Sequence, residues 1–158
     1  MTDQDKKFMR RAINLAQQGI DAGAGGPFGA VVVKDGAIVG EGCNQVTSTN
    51  DPTAHAEVIA IRRACEKLDS FQLDDCILYT SCEPCPMCIG AIYWARPAQV
   101  FYAATREDAA QVGFDDEFIY KEIEKNFEHR QMKFINLLRD EGLTVFEHWT
   151  NKTDKTKY

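Results

Sequence analysis

The chain has 158 residues, 44% of them hydrophobic, and a formal net charge of −6, a balance unsuited to phosphate backbones or anionic membranes. This length suits one domain that buries roughly 70% of its unfolded surface, so the fold needs no disulfide or metal staple. No stretch approaches the ~18 consecutive apolar residues of a membrane span, and residues 1–7 carry acidic groups where a secretory signal would be apolar. The expectation is a cytoplasmic protein with no membrane or nucleic-acid partner, whose six cysteines serve as thiols and ligands.

Phe8, Ala12, Leu15, Ala16 and Ile20 recur at helical spacing, which predicts an amphipathic helix over residues 5–22. The glycine-rich residues 23–27 follow as a loop. Residues 28–34 and 37–43 are β-rich and joined through Asp35-Gly36, a hairpin turn signal. Val58, Ile61, Cys65 and Leu68 mark a second helix. Residues 76–80 read as a buried strand, 87–95 as a helix stopped before Pro97, and 99–104 as another strand. Farther on, residues 118–127 and 134–138 look helical, and 151–158 form a polar tail. Strands joined through helices run parallel by right-handed crossovers, so the expected fold class is a single three-layer α/β/α sandwich with a mixed sheet.

Chemistry concentrates in His55-Ala56-Glu57 and Pro84-Cys85-Pro86-Met87-Cys88. The pattern His-x-Glu with Pro-Cys-x-x-Cys is the signature of zinc deaminases. Its physical basis is that a catalytic zinc takes three protein ligands and keeps one position open. His55, Cys85 and Cys88 supply three ligands for one Zn²⁺ per chain. Both ligand groups fall at expected helix N-termini, where the macrodipole favours thiolate. Glu57 is the candidate proton carrier, because two thiolates neutralise Zn²⁺ and leave its water less acidified than at an all-histidine site.

Three other readings compete. A redox dithiol at Cys85 and Cys88 has no use for His55 and Glu57. A closed structural zinc module would recruit Cys82 as fourth ligand. The run from Gly23 to Gly29 lacks the spacing of a dinucleotide or phosphate loop and reads as a flexible connection. His129 and His148 read as surface or core histidines rather than ligands.

At these residues the chain resembles the cytidine deaminase superfamily. Four segments, residues 25–31, 50–57, 80–96 and 113–121, are similar to its bacterial guanine deaminases, and the first three also to its tRNA-adenosine deaminases. The resemblance implies a cytidine deaminase-like fold with a five-stranded sheet. It also implies conversion of guanine to xanthine and ammonia, and a homodimer with exchanged C-terminal segments. By position it gives Asn44 a hydrogen bond to the purine, Phe28 a stacking surface, Ala56 a substrate contact and Asp116 a second catalytic carboxylate. Tyr158 would end a tail, residues 150–158, that closes the active site. Read without the resemblance, Asn44 is a turn residue, Phe28 core and Asp116 a solvated acid. Guanosine, an aminotriazine or a tRNA adenosine remain alternative substrates.

Overall fold

A computed structural model describes residues 1–158. The chain divides into two compact units, Met1–Asp116 and Glu117–Tyr158.

The first unit opens with α1 (Asp3–Asp21), which starts on a capping box: Thr2 and Asp5 satisfy each other's backbone N–H groups. The hairpin forms where Asp-Gly predicts it. β1 (Gly29–Lys34) and β2 (Ala37–Cys43) are joined by Asp35 and Gly36, both with positive φ, as a tight primed turn requires. A short α2 (Val46–Thr49) was not expected from the sequence. Then come α3 (Ala56–Leu68), β3 (Ile77–Cys82), α4 (Pro86–Ala95), β4 (Gln99–Ala104) and a second unexpected short helix, α5 (Arg106–Gln111).

The sheet order is β2-β1-β3-β4, with β3 and β4 parallel and the other pairs antiparallel. It is therefore mixed, as expected, but has four strands rather than the five implied by the resemblance. No residue beyond Ala104 in either unit adopts strand structure.

Alternation along the strands sorts the core into two layers. Val31, Val33 and Tyr79 pack with Phe8, Ala12 and Leu15 of α1. Ala30, Val32 and Leu78 pack on the other face with Ala56, Ala60 and Ala64 of α3 and Ile92 and Ala95 of α4. The small residues of α3 let it lie very close to β2: a Cβ on Gly40 would sit 2.3 Å from the Ala60 carbonyl oxygen. Helix α3 also reaches over the outer strand. Arg63 Nη1 donates to the Glu41 carbonyl at 2.9 Å and Lys67 Nζ to the Ile38 carbonyl at 3.0 Å.

The second unit holds α6 (Glu117–Glu124), a 3₁₀ turn (Phe127–His129) and α7 (Arg139–Asn151). Arg130 organises its first half, donating to the Ile123 and Lys125 carbonyls and lying 4.5 Å over the Phe127 ring. Residues 134–138, expected as helix, are irregular. Phe134, Ile135, Leu137 and Leu138 are all exposed, and so short a helix does not persist without a surface to pack on. No residue of this unit is buried. No helix of the chain is long and apolar enough to cross a membrane.

Candidate metal centre and its cavity

His55 and Cys85 occupy equivalent places, as the N-cap residues of α3 and α4. Neither uses its side chain to cap its own helix, so imidazole and thiol are left to converge. Pro86 sets the first turn of α4, where a missing N–H costs nothing, and Cys88 follows one turn on. His55 Nδ1 stands 3.5 Å from Cys85 Sγ and 3.5 Å from Cys88 Sγ. A tetrahedral zinc with bonds of roughly 2.3 Å to sulfur and roughly 2.0 Å to nitrogen separates such atoms by about 3.5 Å. The three side chains thus already have the spacing of a zinc ligand set, and they are the chain's one His/Cys/Asp/Glu group close enough to hold a metal.

The protein's own charges favour one thiolate here. Donation from the Cys88 thiol and contact with His55 hold Cys85 down to about 4, against the opposing effect of burial. The same exchange with Cys85, together with burial, pushes Cys88 up. The Cys85 contact raises His55. A bound divalent cation makes both thiols thiolate, because its charge outweighs these pairwise effects.

Cys82 stands apart from the cluster. Its thiol points to the Thr105 carbonyl at 3.5 Å, and burial pushes it up to about 11. It faces the cavity without joining the ligand set.

Glu57, in the first turn of α3, is only 5% exposed. Its Oε1 accepts from the Thr80 hydroxyl at 3.3 Å and its Oε2 from the Cys88 thiol at 3.5 Å. Burial pushes its pKa upward, so the carboxyl is poised to hold a proton as well as release one. Thr80 is missed by sequence reasoning, because a threonine in a buried strand reads as a β-former. Only the register, Thr80 beside Ala30 of β1 and Tyr102 of β4, shows that it lies on the α3 side of the sheet.

A cavity of about 420 Å³ opens over the cluster, and its walls include His55, Glu57, Cys85, Phe28, Asn44 and Asp116. The structure thus brings together six residues that the sequence scatters over 89 positions, 28 to 116. Ala56 lies between two of them with its methyl group in the core, so it could offer a ligand only its backbone. Tyr158 belongs to the second unit and is 71% exposed.

Asn44 is buried, and its amide has a fixed polarity. Oδ1 accepts from the Gly26 and Val46 N–H groups, each at 3.2 Å. A flipped amide would set NH₂ against two donors, so the Nδ2 end is the one left for the cavity. Phe28 is braced by Phe114, whose ring meets it edge-on at 5.0 Å and 88°. Phe114 lies in the segment that gave Asp116, yet nothing local in the sequence distinguishes it as a cavity wall. Asp116 is half-buried while Asp115 is exposed. Burial, then the Cys85 charge, pushes the Asp116 carboxyl upward.

The family described as "Cytidine and deoxycytidylate deaminase zinc-binding region" matches residues 2–104. Guanine deaminase of Bacillus subtilis (strain 168) is 63% identical over 151 residues, covering 96% of this chain and 97% of that protein. Its X-ray structure superposes with a TM-score of 0.95 over 97% of this chain and 98% of that one, at 62% identity. A tRNA-specific adenosine deaminase of Buchnera aphidicola is 35% identical over 149 residues, covering 94% and 95% of the two chains. With a zinc-spaced His/Cys/Cys cluster under a cavity, and relatives matched nearly end to end, the chain belongs to the cytidine and deoxycytidylate deaminase family of zinc-binding proteins.

Proposed function

We infer that the chain catalyses the zinc-dependent hydrolytic deamination of guanine, giving xanthine and ammonia. The observation that carries this reading is the buried Glu57 carboxylate, set beside the His55, Cys85 and Cys88 cluster at the base of a cavity. The near end-to-end likeness to the B. subtilis enzyme supports guanine as the substrate.

His55, Cys85 and Cys88 would hold the zinc, which when bound would supply the Lewis acidity that makes water a better nucleophile. Glu57 takes a proton from water as oxygen adds to the amine-bearing carbon of guanine. It passes that proton to the ring nitrogen, then takes the remaining proton of the added oxygen and delivers it to the departing amine, whose bond to carbon breaks as ammonia leaves and the new carbonyl forms. Asp116, also in the cavity wall, accepts from the amine and orients it. Asn44 Nδ2 donates to an acceptor atom of the base, and Phe28 stacks on its face. Ala56 contributes a backbone contact.

The same proposal extends to two chains. Residues 117–158 expose Phe127, Phe134, Ile135, Leu137, Val145 and Phe146, more apolar side chains than a solvated segment ordinarily carries. A homodimer that exchanges these segments would bury them. Residues 150–158 would then close the partner's cavity with Tyr158, excluding bulk water from the proton transfers. A cytoplasmic site of action is part of this reading, supported by six cysteines kept as thiols.

The test is ammonia release by the zinc-loaded protein from guanine, guanosine, adenine, cytosine and tRNA. Release from guanine alone is expected. Release from tRNA alone would transfer the reading to an adenosine deaminase, and release from none would leave a structural zinc module.

A further inference from the structure

The loop between α1 and β1 contains three glycines before Pro27, and they differ in kind. Gly23 has a φ of 64°, and a Cβ there would meet nothing within 4 Å. Its requirement is conformational. Gly25 and Gly26 have no positive φ, so other residues could adopt their backbone angles. Their requirement is space. A Cβ on Gly25 would lie 2.3 Å from Asn44 Oδ1 and 2.8 Å from the Asn44 carbonyl oxygen. A Cβ on Gly26 would lie 3.1 Å from atoms of both the Phe114 and Phe28 rings.

We propose that Gly25 and Gly26 are positioning residues that set the base specificity of the cavity. The bare backbone of Gly25 lets Asn44 turn its carbonyl oxygen into the loop and its NH₂ toward the ligand, and that of Gly26 leaves the Phe28 and Phe114 rings their places, so the pocket selects a planar base with an acceptor atom opposite Asn44. This rests on the reading of Asn44 as a base-contacting residue. It assigns the loop a role that a merely flexible connection would not have.

The physical chain is short. Asn44 Oδ1 satisfies two backbone donors, Gly26 N–H and Val46 N–H. A side chain at position 25 must displace that oxygen, which strands both donors and swings the NH₂ away from its place. A 2.3 Å approach cannot be accommodated, so the amide leaves its old orientation even though two donors lose their acceptor. Gly26 acts more weakly, since its neighbours are ring edges that can tilt. The atoms that a Cβ at either position would meet first belong to Asn44, Phe28 and Phe114, not to Glu57 or the zinc ligands, so the loss falls on base binding rather than on proton transfer.

Steady-state ammonia release from guanine by the zinc-loaded full-length enzyme tests this, with zinc content and Tm measured on each variant. Gly25→Ala is expected to raise KM about 10-fold with kcat changed less than about 3-fold, and Gly26→Ala to raise KM about 3-fold. Gly23→Asn, which suits a left-handed backbone in open space, should leave KM unchanged. In an Asn44→Ala background, Gly25→Ala should change KM less than about 2-fold, because the group it acts through is gone. Equal KM effects in both backgrounds, or a normal KM in a folded, zinc-loaded Gly25→Ala protein, would overturn the proposal. If Gly25→Ala does not fold, Gly26→Ala decides in a Phe28→Ala background: its effect on KM should fall below about 2-fold there, because the ring it meets is gone, and an equal effect in both backgrounds would overturn the proposal. A normal KM in Asn44→Ala itself would instead remove Asn44 from base recognition, and the proposal with it, while leaving deamination at Glu57 standing.

Discussion

Residues 1–116 and 117–158 both carry large apolar side chains but use them differently. In the first region Val31, Val32, Leu78 and Tyr79 are almost wholly buried between a sheet and its helices. In the second, Ile135 and Leu137 are both 81% exposed and no residue is buried. The first region contains both sides of its own core, and it holds every wall of the cavity. The second has sequences suited to a core without the surface that would complete one. Hydrophobic patterning says which residues want burial, but not which molecule provides it.

Four substitutions and one truncation test this contrast. The largest effect belongs to the chemistry of the first region. Glu57→Gln should lower kcat on the order of 10³-fold while zinc content and xanthine binding persist. Turnover within about tenfold of the parent in that variant would take Glu57 out of the mechanism.

Next comes core packing. Leu78→Ala should cost about 2–5 kcal/mol in denaturant unfolding. Leu137→Ala should cost under about 0.5 kcal/mol at low protein concentration, with a larger cost as concentration rises. A large, concentration-independent loss at Leu137 would mean that the second region has a core of its own, and the contrast would collapse.

Removing residues 151–158 should cut guanine turnover about 10- to 100-fold without altering zinc content, because water exclusion is lost. Full activity would make this stretch only a solvated end.

The smallest effect concerns the ion pair of Arg11 with Glu41, 2.6 Å apart. The guanidinium holds the Glu41 carboxyl below its ordinary value of 4.5. The pair's contribution is therefore present above that value and lost as pH falls through the lower folded-state pKa. Each partner is about a third exposed, so the contribution is under about 1 kcal/mol. Glu41→Gln should flatten the acid limb of a stability profile slightly, and an unchanged limb would show the pair to be inert.

How much of this was legible depended on whether the determinant was local. The hairpin followed from Asp35-Gly36, and the ligand set from the spacing of His55, Glu57, Cys85 and Cys88, since both rest on neighbours in sequence. The polarity of Asn44 rests on Gly26 and Val46 N–H groups that only the folded loops bring to it. Thr80 and Phe114 were hidden for the same reason, as each has an ordinary structural reading until its cross-chain neighbour is known. The helix expected at 134–138 failed because its apolar spacing described a surface to be covered rather than a local conformation. Helix α7 was missed because Gly142, Thr144 and Val145 weaken the propensity of a segment whose ends carry no strong cap.

The side chains of Arg63 and Lys67 carry a consequence for association. An outer strand is a template on which unrelated strands can grow, and proteins blunt it with charge. Here two carbonyls of β2 are already engaged by cations from α3, the helix that also presents Glu57. A strand approaching from that side must first displace both cations, then accept their charge close by. The β2 border of the sheet is thus defended against strand addition.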